Sequence, residues 1–133
     1  MRWQQLVDET RYSGLYATGP EAEKALRSVL SVLAGQIGGE VRRELIRELP
    51  AEAAALLGAG APAARPLSAD GFVAAVAART TPPSTTQARW AACTVLALLA
   101  RHIGEDLTRR VLAALPLGYA LLFGRSDRLP QAA

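Results

Sequence analysis

Apolar side chains recur every three to four residues along most of this chain, the spacing of one helix face rather than the alternation of a strand. The clearest stripe is Ala22, Leu26, Val29, Leu30, Leu33 and Ile37, which predicts a long helix over residues 21–37. A second long helix is predicted over residues 87–103. Both open on a capping box, Thr18-Gly19-Pro20-Glu21 and Ser84-Thr85-Thr86-Gln87, in which hydroxyl and acid or amide satisfy free backbone N–H groups reciprocally. Gly38-Gly39 and Gly104 are expected to stop these helices, because glycine accepts the left-handed conformation at a helix end. Shorter helices are predicted over residues 2–12, from a Ser68 N-cap to about residue 79, and over 41–49 and 107–115. Pro50 and Pro116 then break the chain, and each begins a short fourth helix.

The two halves share more than rhythm. Leu49-Pro50 returns as Leu115-Pro116, 66 residues later, and in that ungapped register many other positions agree. Val7 falls on Val73, Val29-Leu30 on Val95-Leu96, Leu33-Ala34 on Leu99-Ala100, Ile37-Gly38 on Ile103-Gly104, and Gly58 on Gly124. The expected architecture is therefore all-α: two tandem, pseudo-symmetric four-helix units packed as one bundle. A single domain, residues 1–133, would contain repeat 1 (1–58), a linker (59–66), repeat 2 (67–125) and a frayed C-terminal tail (126–133).

Composition agrees with helices. Half the residues are hydrophobic but only 5% are aromatic, so Ala and Leu, good helix formers, carry the apolar content. The net charge of +3 resides in the second half, where seven basic residues face four acidic ones; the first 66 residues carry eight of each. So small an excess disfavours a nucleic-acid partner. Cys93 is the only cysteine, which excludes an internal disulfide and suits a reducing cytoplasm. The N-terminus lacks a signal-peptide pattern. The longest apolar run, residues 90–100, is well short of the ~20 residues of a membrane span.

The repeat supplies its own control. On the long helix, opposite the core stripe, the first unit carries Lys24, Arg27 and Ser31, an ordinary solvated set. The same positions in the second unit are Trp90, Cys93 and Ala97, which share one face. This predicts a second long helix buried all round. Either the rest of the chain, including the segment around Tyr119 and Phe123, covers the three residues, or they form a self-association or partner interface centred on Trp90.

Candidate chemistry is sparse. His102 and Cys93 lie nine residues apart on one predicted helix, which at ~1.5 Å and ~100° per residue puts them on opposite faces and too far apart for a dyad. His102 reads as a partly buried structural histidine and Cys93 as a small apolar one. One His and one Cys cannot supply a usual metal set. Glu40, Glu44 and Glu48 interleave with Arg43 and Arg47 as a salt-bridged, solvated face. Arg101, Arg109, Arg110, Arg125 and Arg128 gather late in the chain, but Glu105, Asp106 and Asp127 stand among them. No catalytic residue, cofactor or metal is expected.

These residues resemble a bacterial family known as domain of unknown function 2267. The resemblance rests on Val29-Leu30-Ser31-Val32-Leu33 with Leu49-Pro50, and on Val95-Leu96-Ala97-Leu98-Leu99 with Leu115-Pro116. The opening Trp3-Gln4-Gln5-Leu6 and the closing stretch, residues 115–124, are similar to actinobacterial members. It implies a helical fold and a bacterial cytoplasmic setting, with a regulatory or stress-related role and no active-site residues to carry over. The expected function is a non-enzymatic helical interaction or regulatory module, a homodimer or partner of another protein. The alternative is a nucleic-acid or small-ligand binder using the basic second repeat, with the identity of a small-molecule ligand left open.

Overall fold

The computed structural model describes residues 1–59 and 65–125, and among these every regular element is a helix. In chain order they are α1 (Trp3–Gly14), α2 (Gly19–Ala34), α3 (Gly39–Arg47), α4 (Ala51–Gly58), α5 (Ala69–Ala77), α6 (Thr85–Ala113) and α7 (Tyr119–Leu122). Most of the predicted linker and the whole predicted tail lie outside the described residues, as does Arg128.

Helix starts follow the sequence signals. Thr18 Oγ1 accepts the Glu21 N–H at 3.2 Å, Ser68 Oγ the Gly71 N–H at 3.0 Å and Ser84 Oγ the Gln87 N–H at 3.1 Å. The end of α2 departs from them. α2 stops at Ala34, three residues early, because Gly35 and Gln36 turn their N–H groups back to Val32 and Leu33. The buried Gln36 side chain then accepts the Leu67 N–H at 2.6 Å, tying this turn to the start of the second half. Gly39, not the residue after α2, takes the positive φ of 63°.

As expected, Gly104 stops the first helical segment of α6: its backbone (φ 88°, ψ 166°) is not helical, and a second segment starts directly after it across a kink. Only glycine tolerates that backbone, and the buried Thr108 hydroxyl makes the break tolerable by donating to the Gly104 carbonyl at 2.7 Å.

One apolar cluster draws on both halves. Leu26, Val29, Leu30 and Leu33 of α2 enter it with Val95, Leu96 and Leu99 of α6, and Leu45, Leu57, Phe72 and Val76 fill in from the shorter helices. Phe72 and Tyr119 meet edge to face with centroids 5.5 Å apart, and the Tyr119 hydroxyl donates to the Leu67 carbonyl at 2.8 Å. Burial pushes that phenol up to about 12. Tyr119 thus belongs to the core beneath α5, and is no cover for Trp90. The result is a helical bundle in which α2 and α6 pack on each other and on α1 and α5.

Candidate functional site

Where α2 and α6 diverge near their N-terminal ends, small residues face each other across the gap. Ala25 and Ala91 cannot fill it, and a groove of about 470 Å³ remains, closed below by Val76 and at one end by the turn after α1. Residues 66 positions apart line it in pairs: Glu21 with Gln87, Lys24 with Trp90, Ala25 with Ala91, and Gly14 with Thr80.

The α1 turn is built for close approach. Leu15 adopts a left-handed conformation (φ 59°), with the Tyr16 N–H returning to the Arg11 carbonyl at 3.0 Å and the Leu15 N–H to the Tyr12 carbonyl at 3.4 Å. This wrap-around usually employs glycine at the left-handed position; here leucine holds it, and Gly14 precedes it. A methyl group on Gly14 would lie 2.8 Å from Tyr16 Cδ2 and 3.1 Å from Thr94 Cγ2, so glycine is what lets the tyrosine ring lie down beside the helix end. Arg11 pins the same turn by donating to the Ala17 carbonyl at 2.9 Å.

The Gly14 carbonyl has another role. It accepts the indole N–H of Trp90 at 2.8 Å, across 76 residues of chain. Trp90 is therefore fixed in orientation while remaining 51% exposed. The expectation that the second long helix is buried all round is corrected at this position: α6 is covered over Cys93 and Ala97, both partly buried, and open at Trp90. Gly124 beyond α7 comes close to Ala97, which accounts for part of that cover. Burial pushes the Cys93 thiol above its ordinary value, so it is a poor nucleophile.

Lys24, read from the sequence as plain solvated surface, lines the groove opposite Trp90. Ser28, one turn further along α2, also lines it. Burial and the nearby Glu21 carboxylate push the half-buried Tyr16 phenol up. No signal in the first half marks these residues; their shared wall becomes visible only when α2 is set beside α6. Past Leu15 and Tyr16 the surface continues into a shallow depression bordered by Tyr12, Arg11 and Asp8. Tyr12 and Leu15 are 85% and 81% exposed, so apolar surface extends out of the groove onto open protein.

The remaining candidates are engaged elsewhere. The His102 Nε2–H donates to Glu9 on α1 at 2.6 Å, and this hydrogen bond holds the Glu9 carboxyl below its usual value. Glu40 pairs with Arg43 at 2.8 Å, as the interleaved pattern predicts, whereas Glu44 reaches across to Arg110 through two 2.7 Å bonds. Arg109 pairs with Asp106 and Arg125 with Glu105, both at 2.9 Å. Three of the late arginines thus already have carboxylate partners that a phosphate backbone would have to displace. Among the described residues no three His, Cys, Asp or Glu side chains gather as a metal site requires, and no helix is long and apolar enough to cross a membrane.

Comparison with known proteins adds a family without a chemistry. No curated protein gives a match. The family model described as "Uncharacterized conserved protein (DUF2267)" matches residues 3–122, nearly the whole of the described chain, and the protein belongs to that family.

Proposed function

We propose that this protein is a non-enzymatic helical interaction module, made of two tandem copies of one unit, that pairs with a second copy of itself through the face bearing Trp90, Leu15 and Tyr12. The setting that suits it is bacterial regulation or stress adaptation in the cytoplasm, in an actinobacterial-type member of the family. The observation that carries this reading is the contiguous apolar surface on which two aromatic rings and a leucine stand largely in water. Large exposed aromatic patches are the usual anchors of protein contacts. The rim suits self-pairing: Asp8 and Arg11, of opposite charge, border the same depression as Tyr12, and a surface that meets its own copy must be self-complementary.

Leu15 supports the same reading. A left-handed leucine costs about 1 kcal/mol, and the strain yields no buried contact in the monomer. The tandem arrangement is supported by helix starts in register: α1 and α5 begin at Trp3 and Ala69, α2 and α6 at Gly19 and Thr85, each 66 residues apart.

The test is mass in solution. Sedimentation equilibrium at about 0.1 mM, a concentration suited to a modest interface, should give a dimer little affected by salt. Trp90→Glu should yield folded monomers with an unchanged helical circular dichroism spectrum. Leu15→Gly should weaken pairing while raising chemical-denaturation stability by about 1 kcal/mol through relief of the strain. A wild-type protein that stays monomeric throughout this range overturns the self-pairing.

A further inference from the structure

We propose that the groove between α2 and α6 binds a small aromatic monocarboxylic acid, its ring laid against Trp90 and its carboxylate received by Lys24 and the Ser28 hydroxyl. This goes beyond the interaction reading: the groove lies within one chain, and it shares Trp90 and Leu15 with the proposed pairing face.

Size and shape come first. A volume of about 470 Å³ falls in the range of small-molecule pockets, and the walls at Ala25, Ala91 and Val76 are apolar and low, leaving room for a flat body. The Trp90 ring is held by its N–H bond to Gly14 before anything binds, so little freedom is lost when a second ring stacks on it.

The polar groups then select the charge. Lys24 has no carboxylate within salt-bridge distance among the described residues, because Glu23 is already engaged by Arg27 and by the Trp3 indole. Ser28 is only 7% exposed, and among the described residues its hydroxyl has no hydrogen-bond partner. A buried hydroxyl without a partner is uncommon and destabilising, and an acceptor atom supplied by a ligand would satisfy it. Lys24 and Ser28 lie four residues apart on one helix face, close enough to share the two oxygens of a single carboxylate. Glu21 occupies the same wall one turn earlier. Its negative charge disfavours a second anionic group at that end, which excludes dicarboxylates and phosphate esters in favour of a single carboxylate.

The probe is sodium 2-naphthoate, with the neutral 2-naphthamide as its control, titrated into the full chain and followed by the indole N–H resonances, Trp90 being assigned with Trp90→Phe. The Trp90 signal should move with a Kd on the order of 0.1 mM, fitting for so small a ligand. The amide should bind about tenfold more weakly, the worth of one charge-assisted hydrogen bond. Lys24→Met, a change at an exposed position, should erase the difference between acid and amide. Ser28→Ala should weaken both ligands and keep their order. Equal binding of acid and amide by the wild type, a Trp90 resonance that does not move, or a preference that survives Lys24→Met overturns the proposal. Because pairing would cover Trp90, the titration is run on protein diluted below the concentration at which sedimentation detects a dimer: failure there overturns the ligand site alone, and a protein that never pairs overturns the self-pairing alone.

Discussion

The two walls of the groove carry residues 66 positions apart and do opposite things. On α2 the position facing the gap is Lys24, an exposed cation; on α6 it is Trp90, a ring hydrogen-bonded to the end of α1. Had both been lysine, the cleft would hold two like charges and no apolar wall. Had both been tryptophan, the rings would fill it. The cleft is chemically lopsided because its facing positions differ, Lys24 against Trp90 and Glu21 against Gln87, while Ala25 and Ala91 are alike.

The largest expected effect comes from removing what anchors one wall. Gly14→Ala forces the added methyl into the Tyr16 ring and against Thr94, and should lower urea-denaturation stability by about 2 kcal/mol, as overpacking does. The control is Gly19→Ala, where a methyl meets nothing within 4 Å and the change should be near zero. Next is making the walls alike. Trp90→Lys loses the bond to the Gly14 carbonyl and places a second cation opposite the first, for a loss of about 1 kcal/mol. The converse removal of charge, Lys24→Met, should stay within about 0.5 kcal/mol, since Lys24 is exposed and makes no side-chain bond among the described residues. If both changes cost the same, the contrast between the walls is wrong.

The smallest effect is a pH dependence at the other junction of α1 with α6. Glu9 is held below its ordinary 4.5 by the His102 bond, so this contact adds stability above that pH and loses it as pH falls through the lower native value. Glu9→Gln should therefore flatten the loss of denaturation midpoint between about pH 5 and pH 3, relative to wild type. An unchanged slope would show that the bond contributes nothing to folding.

Much of the fold was legible, and the reasons are local. Ser and Thr caps act within four residues of themselves, so Thr18, Ser68 and Ser84 announce helix starts correctly. A helix end can answer to a distant partner. α2 ends early where Gln36 binds a backbone N–H 31 residues away, whereas the break at Gly104 answers to the glycine itself, whose positive φ other residues rarely adopt. The groove was half legible. Trp90 stands out against Lys24, and of the two readings this allows, cover by the rest of the chain or an open surface, the ring is left half exposed. Lys24 itself looked like plain surface, because a helix face says nothing about what another helix places opposite it. Ser28 gave no warning, since a lone serine amid apolar residues is common and its missing partner is a fact of three-dimensional packing.

The pairing of Glu44 with Arg110 bears on symmetry. The two positions stand 66 apart, so on the tandem reading a place in the unit touches its own counterpart. On that reading two separate copies of one unit would meet there with identical side chains, carboxylate against carboxylate or guanidinium against guanidinium. Within one chain the two places are free to differ, and an ion pair at this spot is a contact that two identical units related by symmetry are unable to make.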